Sequence, residues 1–143
     1  MKEIKSYLVC VLVVGLIGCE PGPEPINYDV DQCQFCKMTI SDPRFGAEII
    51  TAKGRVLKYD AAECMIQYLN QENPGYRQLL VTSYDQPKEL FPVDSLLFVI
   101  SPKYKSPMGG NIAGFRHFPS SESNSEKLIP ISWEDLQKKT YLN

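Results

Sequence analysis

The sequence predicts an α+β domain with an antiparallel sheet, built from two ββαβ-like units that follow a signal peptide and a proline-rich tether. Three observations predict it. Two short β-rich runs, AEIITA and RVLKY, are separated by Lys53-Gly54, which suits a hairpin turn. The run AAECMIQYLNQ after Asp60 places Ala61, Met65, Tyr68 and Leu69 on one helical face, and Asn73-Pro74-Gly75 stops it. QLLVTSY then returns as a strand, and a weaker copy of the same order follows downstream.

The N-terminus justifies the first two elements. Met1-Lys2-Glu3-Ile4-Lys5 and the apolar run YLVCVLVVGLIG form the basic and hydrophobic regions of a secretory signal over residues 1–18. The run is too short for a stable span of a bilayer core about 30 Å thick. Its end, LIGC, resembles the lipobox of bacterial lipoproteins, in which the cysteine, here Cys19, is acylated and becomes the new N-terminus. Several acyl chains anchor stably, since each buried methylene contributes about 0.8 kcal/mol. Residues 19–32, including EPGPEPINYDVDQ, then read as an extended polar tether with too little apolar surface to fold.

The domain proper occupies residues 33–143. Its first ββαβ unit is expected over about 45–85, with Asp60 capping the helix and Glu63 as the reciprocal cap. The second is expected over about 94–132: SLLFVIS and IAGFRHF as strands, SSESNSEK as a weak helix and LIPI as a strand. A final short helix, WEDLQKK, is expected over about 132–140. The formal net charge of −2, with no basic stripe, excludes nucleic acid as a partner.

The sulfur residues carry the chemistry. Of five cysteines, Cys10 leaves with the signal and Cys19 is lipidated, so Cys33, Cys36 and Cys64 remain in the domain. One reading is a Cys33–Cys36 disulfide with Cys64 as a small buried residue. A thioredoxin-like dithiol is a second, but CQFC follows a polar tether, not a core strand, and Asp42-Pro43 ends any helix early. A Cys₃His zinc site would need His117, the single histidine, brought in from far along the chain, and a blue-copper centre needs two histidines. No HExxH, GxSxG or glycine-rich phosphate loop is present, so an enzyme is not expected. A soft, low-coordinate cation, with Cu(I) as the physiological candidate, matches thiolate and thioether donors. Met38 lies two residues after Cys36, on the same side of an extended segment, and Met108 sits in SPMGGN, a turn that exposes a thioether. The alternative for Met108 is a loop residue folded onto a satellite cluster.

Taken together, LIGC, CQFCKM, DPRFGAEI, GRVLKYDAAECMIQYL, SPMGGNIAGF and SWEDLQ resemble, in order and approximate spacing, the NosL family of accessory lipoproteins of nitrous oxide reductase. The resemblance covers nearly the whole chain after the signal. It implies a pair of ββαβ units and a Cu(I)-binding metallochaperone that supplies the catalytic copper-sulfide centre of that enzyme. The implied partners are the apo form of nitrous oxide reductase and other copper-assembly proteins, with the membrane reached through the lipid anchor. Cys36 and Met38 match the family's Cys-x-Met core and Met108 its Pro-Met-Gly turn, while Lys37 stands where many relatives have glycine. Cys33 and Cys64 complete the candidate metal ligands, Cys64 being expected mainly as packing or a reserve thiolate. The implied location is the bacterial envelope, facing the periplasm, with Glu20 favouring the outer membrane. A thiol-disulfide oxidoreductase using Cys33 and Cys36 and a scaffold with structural sulfurs remain alternatives.

The lipobox reading has a direct test. Cys19→Ala is expected to leave the domain folded while abolishing acylation and membrane fractionation. A variant that still partitions with membranes after a high-salt wash would contradict it.

Overall fold

The computed structural model describes residues 22–119 and 128–141. The expected signal segment 1–18, the expected acylation site Cys19 and the weak helix expected over 120–127 lie outside the described residues. Among the described residues, no helix is long and apolar enough to cross a membrane.

The first unit forms in the expected order. Strands β1 (Ala47–Thr51) and β2 (Val56–Tyr59) make an antiparallel hairpin, closed by the Gly54 amide donating to the Thr51 carbonyl at 2.9 Å with Gly54 at φ 81°. Helix α1 (Ala62–Glu72) follows, and its last turn ends on Asn73, which adopts φ 42° and donates to the Leu69 carbonyl at 3.0 Å. Strand β3 (Tyr76–Ser83) returns antiparallel to β1. The expected cap is corrected: Ala61 is the N-cap, with no side-chain cap bond, because the Asp60 and Glu63 carboxylates are turned into the protein.

The second half departs further from expectation. Strand β4 (Gln86–Pro92) pairs with β3 where no strand was expected. Its two prolines obscured the pattern, but proline is tolerated on a strand whose free amides do not face a neighbour. A 3-10 turn (Val93–Ser95) leads to β5 (Leu97–Ile100), then β6 (Ile112–Phe115) and helix α2 (Trp133–Tyr141). The expected LIPI strand reduces to a bridge in which Ile131 and Phe98 exchange amide-to-carbonyl bonds of 2.7 and 2.9 Å.

The six-stranded sheet runs β2-β1-β3-β6-β5, with β4 also on β3. The α+β class stands, but the sheet is mixed: β3 and β6 meet in parallel, at the single pair Ser83 and Gly114. That seam joins the halves. One sheet face carries the main core, in which Ile49, Tyr59, Met65, Ile66, Leu79, Phe98, Trp133 and Leu136 pack with Cys33 and Cys64. A smaller aromatic cluster holds Phe45, Tyr104 and Phe115, with Tyr84 packed against it.

The expected tether is also shorter. From about residue 26 the chain is docked, with Ile26 buried and the Tyr28 hydroxyl 3.3 Å from the Thr82 hydroxyl. The physical reason is Gly46: a Cβ there would lie 2.7 Å from the Ile26 side chain and 2.8 Å from the Tyr28 hydroxyl, so its absence makes the cradle. Lys58 of β2 holds the same segment, donating 2.8 Å bonds to the Pro25 carbonyl and to Asp31.

Because Lys58 is directed to those partners, Glu48 opposite it in β1 is left fully buried with one carboxylate oxygen unpartnered. Burial pushes its carboxyl up to about 7. The folded state then binds the proton more tightly than the unfolded chain, so this contribution is full below about pH 4.5 and is lost as pH rises through 7. The lowered Cys33 thiol acts in the opposite sense over the same range, so the effect is read as a difference: relative to Glu48→Gln, the unsubstituted protein should lose stability between pH 5 and 8, by an amount on the order of 1–3 kcal/mol. Asp60, raised to about 6, and Cys33 contribute alike to both proteins, so the difference isolates Glu48. An identical pH profile in the variant would contradict this account.

Candidate metal centre

Residues 33–38 form a tight turn. The Cys33 amide donates to the Met38 carbonyl at 2.8 Å and the Lys37 amide donates to the Cys33 carbonyl at 3.1 Å. The Gln34 amide donates to the Lys58 carbonyl at 2.8 Å, which docks the turn on the free edge of β2. Strand β2 leads through Asp60 directly into α1, so the turn comes to rest beside the first helical turn, which carries Cys64. Local hydrogen bonding thus brings together residues about thirty apart in sequence.

The outcome is a cluster of three sulfurs. The Sγ atoms of Cys33, Cys36 and Cys64 all lie within 4.8 Å of one another, and none is in a disulfide. Cys33 and Cys64 are fully buried and Cys36 is at the surface edge. Cys64, expected mainly as packing, has its thiol inside this group. The Cys33–Cys36 disulfide is not formed here.

The three thiols do not ionise alike. A hydrogen bond from the Cys64 thiol brings Cys33 down to about 5 against the opposing effect of burial, and the backbone amides of Asp60, Cys36 and Phe35 add to the stabilisation. Cys64 is raised, first by serving as that donor and then by burial. Cys36 is raised by burial, with the Cys33 charge adding to it. Cys33 is therefore the thiol most readily ionised, and Cys36 and Cys64 are the two held towards the protonated form. Such a site fits a soft cation, which replaces the two protons and spreads the thiolate charge.

The remaining candidates lie outside this group of three sulfurs. Met38 follows on the turn and is 49 % exposed; its amide donates to the Cys36 sulfur. Met108, 38 % exposed, sits on the 101–111 loop. That loop reaches α1 through Glu63, whose Oε1 accepts from the Ser106 hydroxyl and, at 3.2 Å, from the Gly110 amide. Burial raises the Glu63 carboxyl, against the Ser106 bond. His117 is engaged elsewhere: its Nδ1 lies 3.0 Å from Asp85, and the side chain is 79 % exposed. The roles of Asp60 and Glu63 were missed because both fit a helix-capping pattern; two acids flanking the start of an otherwise buried helix were the available signal.

Lys37 explains how the turn tolerates its sequence. It adopts φ 64°, the left-handed conformation that suits glycine. A side chain in that region costs on the order of 1 kcal/mol. Lys37→Gly is therefore expected to raise the melting temperature of the metal-free protein by a few degrees, with the thiols unaffected in titration. A lower melting temperature would show that the turn is not strained at Lys37.

Comparison with known proteins agrees with this architecture. A family model described as NosL matches residues 26–126. No curated protein matches the sequence. Among solved structures, the copper chaperone NosL from Shewanella denitrificans is similar in fold, with a TM-score of 0.60 at 17 % identity, over 68 % of this chain and 80 % of that one. At that identity the likeness concerns the fold alone, whereas the family match extends from the docked segment through both halves of the sheet: the chain belongs to the NosL family.

Proposed function

We propose that this chain is a Cu(I) metallochaperone, anchored through Cys19 on the periplasmic side of the bacterial envelope, that delivers copper to apo nitrous oxide reductase for assembly of its copper-sulfide centre. One observation carries the reading: three unbridged sulfurs lie within 4.8 Å of one another, two of them fully buried. Family membership supports copper as the ion. The metal is cargo, and the site suits cargo. Buried Cys33 and Cys64 protect it, while Cys36 at the surface edge gives an incoming ligand a place to attack. Exchange then proceeds by adding a ligand from the acceptor before one from this chain leaves, so the ion is never free. Met38 and Met108, both half-exposed thioethers, supply neutral donors at the rim that bind without releasing a proton.

The oxidoreductase alternative has one observation in its favour, the lowered Cys33. It fails on access: the activated thiolate is fully buried, and the exposed partner Cys36 is the one held protonated.

Titration of the reduced, unlipidated protein with Cu(I) against a competing chelator tests the reading. One equivalent should bind, far more tightly than Zn(II), and affinity should rise with pH because two thiol protons must leave. Ser in place of Cys33, Cys36 or Cys64, and Ala in place of Met38 or Met108, should each weaken binding by about tenfold or more, with the thiols having the larger effect. Maturation of nitrous oxide reductase should fall with the same variants. Equal or tighter Zn(II) binding, or disulfide exchange that persists without any dependence on the methionines, would overturn the proposal.

A further inference from the structure

The least explained buried group near the site is Glu63. It lies at the start of α1, one residue before Cys64, and is only 4 % exposed. An acid in such a place is costly unless it is held, and what holds it among the described residues is a set of neutral donors. Its Oε1 accepts the Ser106 hydroxyl and the Gly110 amide, both from the 101–111 loop.

That loop is organised around the same point. The Asn111 amide donates to the Ser106 hydroxyl oxygen at 2.8 Å, the Gly109 amide to the Ser106 carbonyl at 3.0 Å, and the Ser101 amide to the Asn111 carbonyl at 3.0 Å. Ser106 is therefore the hub of the loop and Glu63 is its tie to the helix. Met108 lies between the two attachment points, Ser106 and Gly110. The contact is close as well as polar: a Cβ on Gly110 would stand 3.0 to 3.1 Å from the Glu63 side chain, so glycine is needed there for the loop to settle on the carboxylate. Gly109, at φ 77°, makes the bend that presents Met108 outward.

We propose that Glu63 is a positioning residue for the metal site, a latch that fixes the Met108 loop to the same helical turn that presents Cys64. The proposal rests on the metallochaperone reading for its purpose and on the loop geometry for its existence. Latched, the loop sets the thioether at a constant place relative to the thiols, and the entropy of ordering it is met before metal arrives. Released, Met108 becomes a side chain on a free loop and contributes little to binding. Glu63 thus determines how much of the thioether's donor capacity the site uses, without itself touching the ion.

The test compares the reduced full chain with Glu63→Ala, Glu63→Gln, Ser106→Ala, Met108→Ala and the Glu63→Ala/Met108→Ala double variant. Three readouts are taken: amide hydrogen exchange at Gly109–Asn111 without metal, melting temperature, and Cu(I) affinity. Glu63→Ala and Ser106→Ala should speed exchange at Gly110 by at least about tenfold, and each should weaken Cu(I) by about as much as Met108→Ala. The double variant should be no weaker than Met108→Ala alone, since a released loop has nothing more to lose. Gln keeps an acceptor oxygen for both donors and should restore affinity and protection to within about threefold. A purely structural Glu63 would instead give additive losses in the double variant, which overturns the latch. Unchanged exchange at Gly110 in both Glu63→Ala and Ser106→Ala also overturns it. Absence of Cu(I) binding in the unsubstituted chain would overturn the metal reading and with it the latch's purpose, and the exchange measured without metal separates that failure from a failure of the latch itself. If Glu63→Ala does not fold, Ser106→Ala decides, because it removes a loop bond and leaves the helix intact.

Discussion

Three thiols held within 4.8 Å in a buried place cannot all ionise, and the rest of the site depends on that constraint. Cys33 ionises most readily, first through the hydrogen bond from the Cys64 thiol and then through three backbone amides, from Asp60, Cys36 and Phe35. Those amides come from two different segments. The turn can supply two of them only because the Gln34 amide is bonded to the Lys58 carbonyl, and Asp60 can supply the third only because β2 runs straight into α1. The sheet edge, the turn and the helix start are thus parts of one device. A soft monovalent cation on the Cys33 sulfur neutralises its charge, and each further thiol that joins as a ligand gives up a proton, so sulfur affinity and not charge neutralisation favours the full set.

The fold was largely legible where the signals are local. The Lys53-Gly54 hairpin, the helical period after Asp60 and the Asn73-Pro74-Gly75 stop each depend on a few adjacent residues, and each formed. What depends on distant partners was not legible. The proline-bearing β4 finds its place only because β3 offers an edge, and Ile26 and Tyr28 dock only because Gly46 leaves them room. The Asp60-x-x-Glu63 pattern has the form of a capping box, but tertiary demand outweighs it: Asp60 accepts from the Ser41 amide and Glu63 holds the 101–111 loop.

The site divides in the same way. Cys33, Cys36 and Met38 announce themselves by spacing, and their turn is closed by their own backbone bonds. Cys64 carries no such mark. On a helix among Met65, Ile66 and Leu69 it has the pattern of a core residue, and in part it is one. Only the docking of the turn against α1 makes it a third sulfur. His117, which a zinc reading would require, is held instead at Asp85 beside the turn between β3 and β4. A cluster of thiols without imidazole follows from these placements.

The most direct test of this account is copper K-edge X-ray absorption on the reduced protein loaded with one equivalent of Cu(I), compared with its Cys64→Ser variant. A first shell of sulfur alone, with fewer sulfur scatterers in the variant, is the result the three-thiol cluster predicts. A shell containing imidazole nitrogen, or one that is identical in the two proteins, would contradict it.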